Sequence, residues 1–188
     1  QPPMSMHASW QTEVQLLSAT GHTNVVPLLG SSSDGPHLCL VYDFCDGGSL
    51  EQRLARTPPH WSQPLTAAQR VILLSDVGRG LAHLHAIGVV HRDIKPSNIL
   101  LQRVGVGAHA GLLARIGDFG VARTLESEAG GSGTMMSRSR TWTSAQVAGT
   151  VVYMAPEYLK TVTSAPKVDA FAFGLTLVVT LLIIGAGV

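Results

Sequence analysis

His91-Arg92-Asp93-Ile94-Lys95-Pro96-Ser97-Asn98 sets a carboxylate, an ammonium and an amide oxygen within six residues of one loop. The short apolar run Ile99-Leu100-Leu101 follows it. Ahead of it, Thr66 to Ala86 is the clearest helix in the chain. Thr66 with Gln69 three residues on has the form of a capping box. Val71, Leu74, Val77, Leu81 and Leu84 recur at intervals of three and four, and Gly88 supplies a C-terminal stop. Downstream lie Asp118-Phe119-Gly120 and then Ala155-Pro156-Glu157, the latter preceded by Gly149-Thr150.

These residue types suit phosphoryl transfer. That reaction needs a positioned hydroxyl, and positive charge where the moving group becomes more anionic. Mg²⁺ supplies much of that charge and prefers oxygen ligands, which Asn98 and Asp118 offer. Asp93 can accept the proton of an attacking hydroxyl, and Lys95 can neutralise a phosphate in passage.

Each triplet alone is a weak signal. All three in this order, behind an apolar helix, resemble the catalytic loop, the metal-binding Asp-Phe-Gly and the Ala-Pro-Glu motif of the protein kinase family. The resemblance runs from about Ser9 to Val179. It implies an α+β, protein-kinase-like bilobal fold. Residues 1–44 would be a partial N-lobe (helix αC and the fourth and fifth strands), and 45–188 the mostly helical first part of the C-lobe, with an activation segment at 118–157. It also implies ATP and Mg²⁺ as cofactors, protein Ser or Thr hydroxyls as substrate, and a cytoplasmic setting, either free or as the intracellular domain of a membrane receptor-like protein.

Carried over residue by residue, the resemblance makes Asp93, Lys95, Asn98 and Asp118 catalytic, with Asn98 and Asp118 holding metal. Glu13 resembles the αC glutamate that pairs with the family's third-strand lysine. Tyr42 falls at the gatekeeper position, Asp43 to Cys45 resemble the hinge that holds adenine, and Leu100 resembles the residue beneath the ring. Leu17, Leu28, His91 and Phe119 resemble the stacked regulatory spine, and Asp169 with Phe173-Gly174 the start of helix αF. Lys95-Pro96-Ser97-Asn98 and Thr150 are similar to serine/threonine rather than tyrosine kinases. Leu40 to Phe44, Gly47 to Leu50 and Gly117 to Arg123 look closest to the tyrosine-kinase-like and receptor-like serine/threonine group. Arg92 resembles the arginine that holds a phosphorylated activation loop, which makes Ser139, Thr141, Thr143 and Ser144 candidate phosphosites. Glu157 resembles the glutamate whose arginine partner lies further along the family's C-lobe.

The sequence also departs from the family pattern. No G-x-G-x-x-G is present, and Lys95 is the first lysine in the chain. Glu13 therefore has no visible partner. The expectation is a domain truncated at both ends and inactive alone; the alternative is a pseudokinase-like binding module. Asn98 and Asp118 are separated by twenty residues, more than is usual in the family, and the surplus fits a longer hairpin turn at Val104 to Gly111.

The rest of the chain reads as follows. Ser9 to Ala19 suggests a helix with Trp10, Val14 and Leu17 on one face. Val25 to Leu29 and His37 to Phe44 read as strands joined by a turn at Ser31 to Pro36, and Leu38 to Tyr42, apolar throughout, as a buried strand. Ser127 to Ser144 is a Gly/Ser/Thr stretch. Ala170 to Val188 has nineteen residues and no charge; it reads as the buried αF helix in preference to a membrane span. With 45% hydrophobic residues the chain is no disordered tail, and a net charge of +1 gives no case for nucleic acid. Cys39 and Cys45 lack CxxC spacing and read as reduced thiols. His22, His60, His83, His85 and His109 lack metal-ligand spacing.

Overall fold

The computed structural model describes residues 4–34, 37–55, 64–105, 111–124, 149–161 and 165–182. The candidate phosphosites Ser139, Thr141, Thr143 and Ser144 lie outside these residues.

Helix α1 (Met4–Ser18) starts five residues before the expected Ser9 and buries Leu16 and Leu17. Strand β1 (Leu28–Ser32) pairs antiparallel with β2 (Cys39–Tyr42). Both differ from expectation. Pro27 has no N–H to give a ladder, so β1 begins after it and runs two residues into the expected turn. Val25 and Val26 are buried instead, with the Val26 N–H on the Ile116 carbonyl at 2.9 Å. Strand β2 is not buried: its residues alternate exposed and half-buried, and Val41 is 53% exposed. Within the described residues the two strands form a ribbon with no third partner, so one face stays open.

Helix α2 (Leu50–Leu54) is capped by Ser49 and Gln52, and α3 (Ala67–Ala86) by Thr66 and Gln69, each through a full capping box. Gly88, just past the end of α3, adopts φ +75°, as a helix-stopping glycine should. Leu73, Leu74, Val77, Leu81 and Leu84 form the buried stripe of α3, each contributing ~1.5–3 kcal/mol. Val71 does not join it and is 58% exposed, because only one side of that turn is covered by described residues. Strand β3 (Val89–Val90) pairs with β6 (Arg123–Thr124). Strands β4 (Ile99–Val104) and β5 (Gly111–Ile116) form a hairpin in register from Ile99 opposite Ile116 to Val104 opposite Gly111, as the expected longer turn requires.

Helices α4 (Pro156–Thr161) and α5 (Pro166–Leu182) close the described chain. Helix α5 buries Val168, Asp169, Ala172, Thr176 and Thr180 along one stripe. Phe171, Val178, Leu181 and Leu182 remain exposed, so the helix is buried on one side only and not all round. Arg70 of α3 locks its last turn by donating to the Thr180 carbonyl at 2.6 Å. Among the described residues no helix is long and apolar enough to cross a membrane. One core joins α1, α3, β4 and β5, and a smaller one gathers Met154, Ala155, Tyr158 and Val168.

Candidate active site

The loop between β3 and β4 is fixed from below by one carboxylate. Asp169, fully buried on α5, accepts the His91 N–H at 2.8 Å, the Arg92 N–H at 2.7 Å and the His85 Nε2–H at 2.9 Å. These bonds hold Arg92 at φ +72°, a left-handed conformation that a long side chain adopts only when its surroundings enforce it. Arg92 Nη2 donates to the Tyr158 hydroxyl at 2.9 Å, while its Nε is buried with no hydrogen-bond partner among the described residues.

His91 is fully buried, and burial above all holds its imidazole below the usual value. Its Nε2–H donates to the Gly117 carbonyl at 3.0 Å, and its Nδ1 accepts the Asp93 N–H at 3.3 Å. It is thus a neutral structural ring. Phe119 meets it edge-on at 4.8 Å and is itself buried, so the two rings tie the 91–93 backbone to the 117–119 segment.

Asp93 points into a ring of donors. Its Oδ2 accepts Lys95 Nζ at 2.7 Å and Asn98 Nδ2 at 2.9 Å, and its Oδ1 accepts the Thr150 N–H at 2.8 Å. Lys95 Nζ also donates to Thr150 Oγ1 at 2.7 Å. Burial raises the Asp93 pKa, but the hydrogen bonds from Lys95 and Thr150 outweigh it, and the carboxyl sits below its usual range. Thr150 reaches this position because Gly149 turns at φ +116°; a Cβ there would lie 2.5 Å from the Arg92 carbonyl.

Asn98 spends its amide N–H groups on the Asp93 carboxylate and carbonyl, which leaves its side-chain oxygen available as a ligand. Asp118 is exposed and adopts φ +61°. No cluster of three or more His, Cys, Asp or Glu side chains able to hold a metal occurs among the described residues. The Asn98 side-chain oxygen and the Asp118 carboxylate are hard oxygen donors, the kind that Mg²⁺ prefers.

A cleft of about 570 Å³ lies between the β2 end and the β4 start, walled in part by Tyr42, Asp43, Cys45, Ser49, Ser97 and Leu100. It brings together the residues that sequence reasoning assigned to nucleotide binding, except Glu13. Glu13 has the partner that the sequence did not reveal: its carboxylate accepts a short hydrogen bond from the Tyr42 hydroxyl. Burial, and then this carboxylate, push the Tyr42 phenol well above its usual value. Burial likewise pushes the Cys45 thiol up, so it is an unreactive wall residue. Glu157 also has a partner within the protein.

Two contributors escaped the sequence reading. Arg115 binds Asp43 at 2.6 Å and so fixes the chain entering the cleft; it alternates with buried Ala114 and Ile116, the strand signal that could have found it. His85 props Asp169, and it lies one helical turn beyond Leu81 on the buried face of α3.

The family model described as "Protein kinase domain" matches residues 3–184. Over 175 residues the chain is 38% identical to interleukin-1 receptor-associated kinase 1 of Bos taurus, covering 92% of this chain and 23% of the relative. It is 37% identical to serine/threonine-protein kinase BIK1 of Arabidopsis thaliana over 173 residues, covering 91% of this chain and 39% of that one. It is 36% identical to the Pelle-like serine/threonine-protein kinase pik-1 of Caenorhabditis elegans over 171 residues, covering 88% and 32%. The chain therefore spans between 23% and 39% of the length of these relatives.

Proposed function

Because the chain belongs to the protein kinase family, with a kinase-like bilobal fold, we propose that it forms the hydroxyl-binding and metal-binding part of a serine/threonine protein kinase site. The observation that carries this reading is the closed triangle of Asp93, Lys95 and Thr150. Asp93 orients a protein Ser or Thr hydroxyl and accepts its proton. Lys95 stands 2.7 Å from Asp93, where a cation stabilises charge on the group being transferred. Asn98 and Asp118 would hold Mg²⁺, whose positive charge would offset the negative charge of the phosphates. The cleft beside Leu100 takes the nucleotide base, with residues 1–44 as the N-lobe part and 45–188 as the C-lobe part. The same reading sets the segment in the cytoplasm, where ATP and Mg²⁺ are supplied.

A second reading is a binding module without chemistry. It rests on one observation: the Glu13 carboxylate is already engaged by the Tyr42 hydroxyl. On either reading residues 1–188 alone transfer no measurable phosphate. Phosphoamino-acid analysis separates the readings, run on a substrate protein incubated with Mg²⁺-ATP and the longest natural product that carries these residues. The kinase reading expects phosphoserine or phosphothreonine. A phosphotyrosine product would contradict the hydroxyl assignment, and no product at all would leave the binding module standing.

A further inference from the structure

The turn from α1 to β1 is fastened to α3 and β5 at three points. Asn24 donates its side-chain N–H to the Ala114 carbonyl at 3.0 Å, and its own carbonyl accepts the Ile116 N–H at 2.9 Å. The Asn24 carbonyl also passes so close to α3 that a Cβ on Gly80 would lie 2.7 Å from it. The third fastening is a pair of imidazoles. His22 stacks on His83 of α3, with ring centroids 4.7 Å apart and planes 19° from parallel.

The surroundings of His22 favour its neutral state. His22 Nδ1 accepts the Asn24 N–H at 3.1 Å, so its one proton sits on Nε2. A second proton can enter only at Nδ1, the atom that already serves as acceptor. His83 Nε2 is buried with no hydrogen-bond partner among the described residues. From α3, His22 is faced by His83 and by the Arg79 guanidinium, which is ion-paired to Asp76; Asp76 in turn accepts the Ala114 N–H at 2.9 Å. β5 meets the turn with main-chain groups of Ala114 and Ile116. Burial, the His83 ring and Arg79 together hold the His22 imidazole below its ordinary value.

We propose that the stacked His22–His83 pair is a proton-responsive latch: closed while His22 is neutral, it clasps the α1–β1 turn onto α3, and acidification opens it. The sign follows from linkage. In the open state His22 titrates near its ordinary value of ~6.5, and in the closed state below it, so the open state binds more protons. The latch is fully closed above about pH 6.5 and loosens as the pH falls below that. Its opening equilibrium grows up to about tenfold per pH unit in that range. Because α1 ends just before this turn and carries Glu13, the latch ties local acidity to the seating of Glu13 on Tyr42.

Amide hydrogen exchange on the full chain at about pH 7.5 and about pH 5.5, corrected for intrinsic rates, tests this. The amides to follow are Asn24, Val25, Val26 and Ile116, with Leu101 of β4 as internal reference. The latch predicts a roughly three- to tenfold loss of protection at the four amides in acid, with Leu101 unchanged. His22→Asn keeps a side-chain acceptor for the N–H two residues on, as in an Asx-turn, but cannot titrate, and should abolish the pH dependence. His83→Phe keeps a flat ring that tolerates an adjacent imidazolium, and should weaken it. Protection equal at both pH values, an equal acid loss at Leu101, or an undiminished acid loss in both variants would overturn the latch.

Discussion

Asp93 is useful because of what surrounds it. A lone exposed carboxylate has no preferred direction, whereas this one accepts from Lys95, Asn98 and the Thr150 main chain. The hydrogen bonds from Lys95 and Thr150 hold its carboxyl below the usual carboxylate range, so it should contribute no limb to a pH–rate profile between about pH 5 and 9. Lys95→Ala in the longest natural product should lower kcat by ~10²–10³-fold, as loss of one charge-stabilising donor does, with a smaller change in KM. Thr150→Val removes only the hydroxyl that positions Lys95 and keeps the N–H on Asp93, so its loss should be smaller. Steady-state kinetics of the two variants checks that ordering; a Thr150→Val loss equal to that of Lys95→Ala would contradict it. The sequence placed Asp93, Lys95 and Asn98 in one short loop, and the structure brings their side chains together. The sequence did not show that Tyr42 holds Glu13, since the residues are 29 positions apart and only packing brings them together.

At the scale of elements, the loop from His91 to Asn98 is a short segment, strained at Arg92, held by a helix that follows it by some seventy residues. Asp169 is the second residue of the α5 stripe and accepts two main-chain N–H groups, those of His91 and Arg92. Asp169→Ala strands both, at ~1–3 kcal/mol each, and frees Arg92 from its left-handed conformation. Thr66→Ala removes one N-cap from α3 and should cost about 1 kcal/mol. Thermal unfolding should therefore rank Asp169→Ala well below Thr66→Ala, and equal shifts would show that the loop is not held from α5. The capping boxes and the α3 stripe were legible because their signals are local. The limits of β1 and the exposure of β2 were not. A run such as Leu38 to Tyr42 reads as buried from composition, yet its burial depends on whether other strands cover it.

Across the whole molecule, the described chain holds one principal core, a smaller core beneath the catalytic loop, and apolar surface on α3, α5 and the β1–β2 ribbon. The fold class was readable from three motifs in order, and the relatives agree with it over about nine-tenths of the chain. The candidate site was legible in its residues but not in its supports, His85 and Arg115, which act through contacts distant in sequence. The most direct test of the account is phosphate transfer from Mg²⁺-ATP to a protein substrate, comparing the longest natural product carrying these residues with its Asp93→Asn variant. The account predicts robust Ser/Thr labelling by the former and a loss of at least about 10²-fold in the latter. Labelling that survives Asp93→Asn undiminished would contradict it.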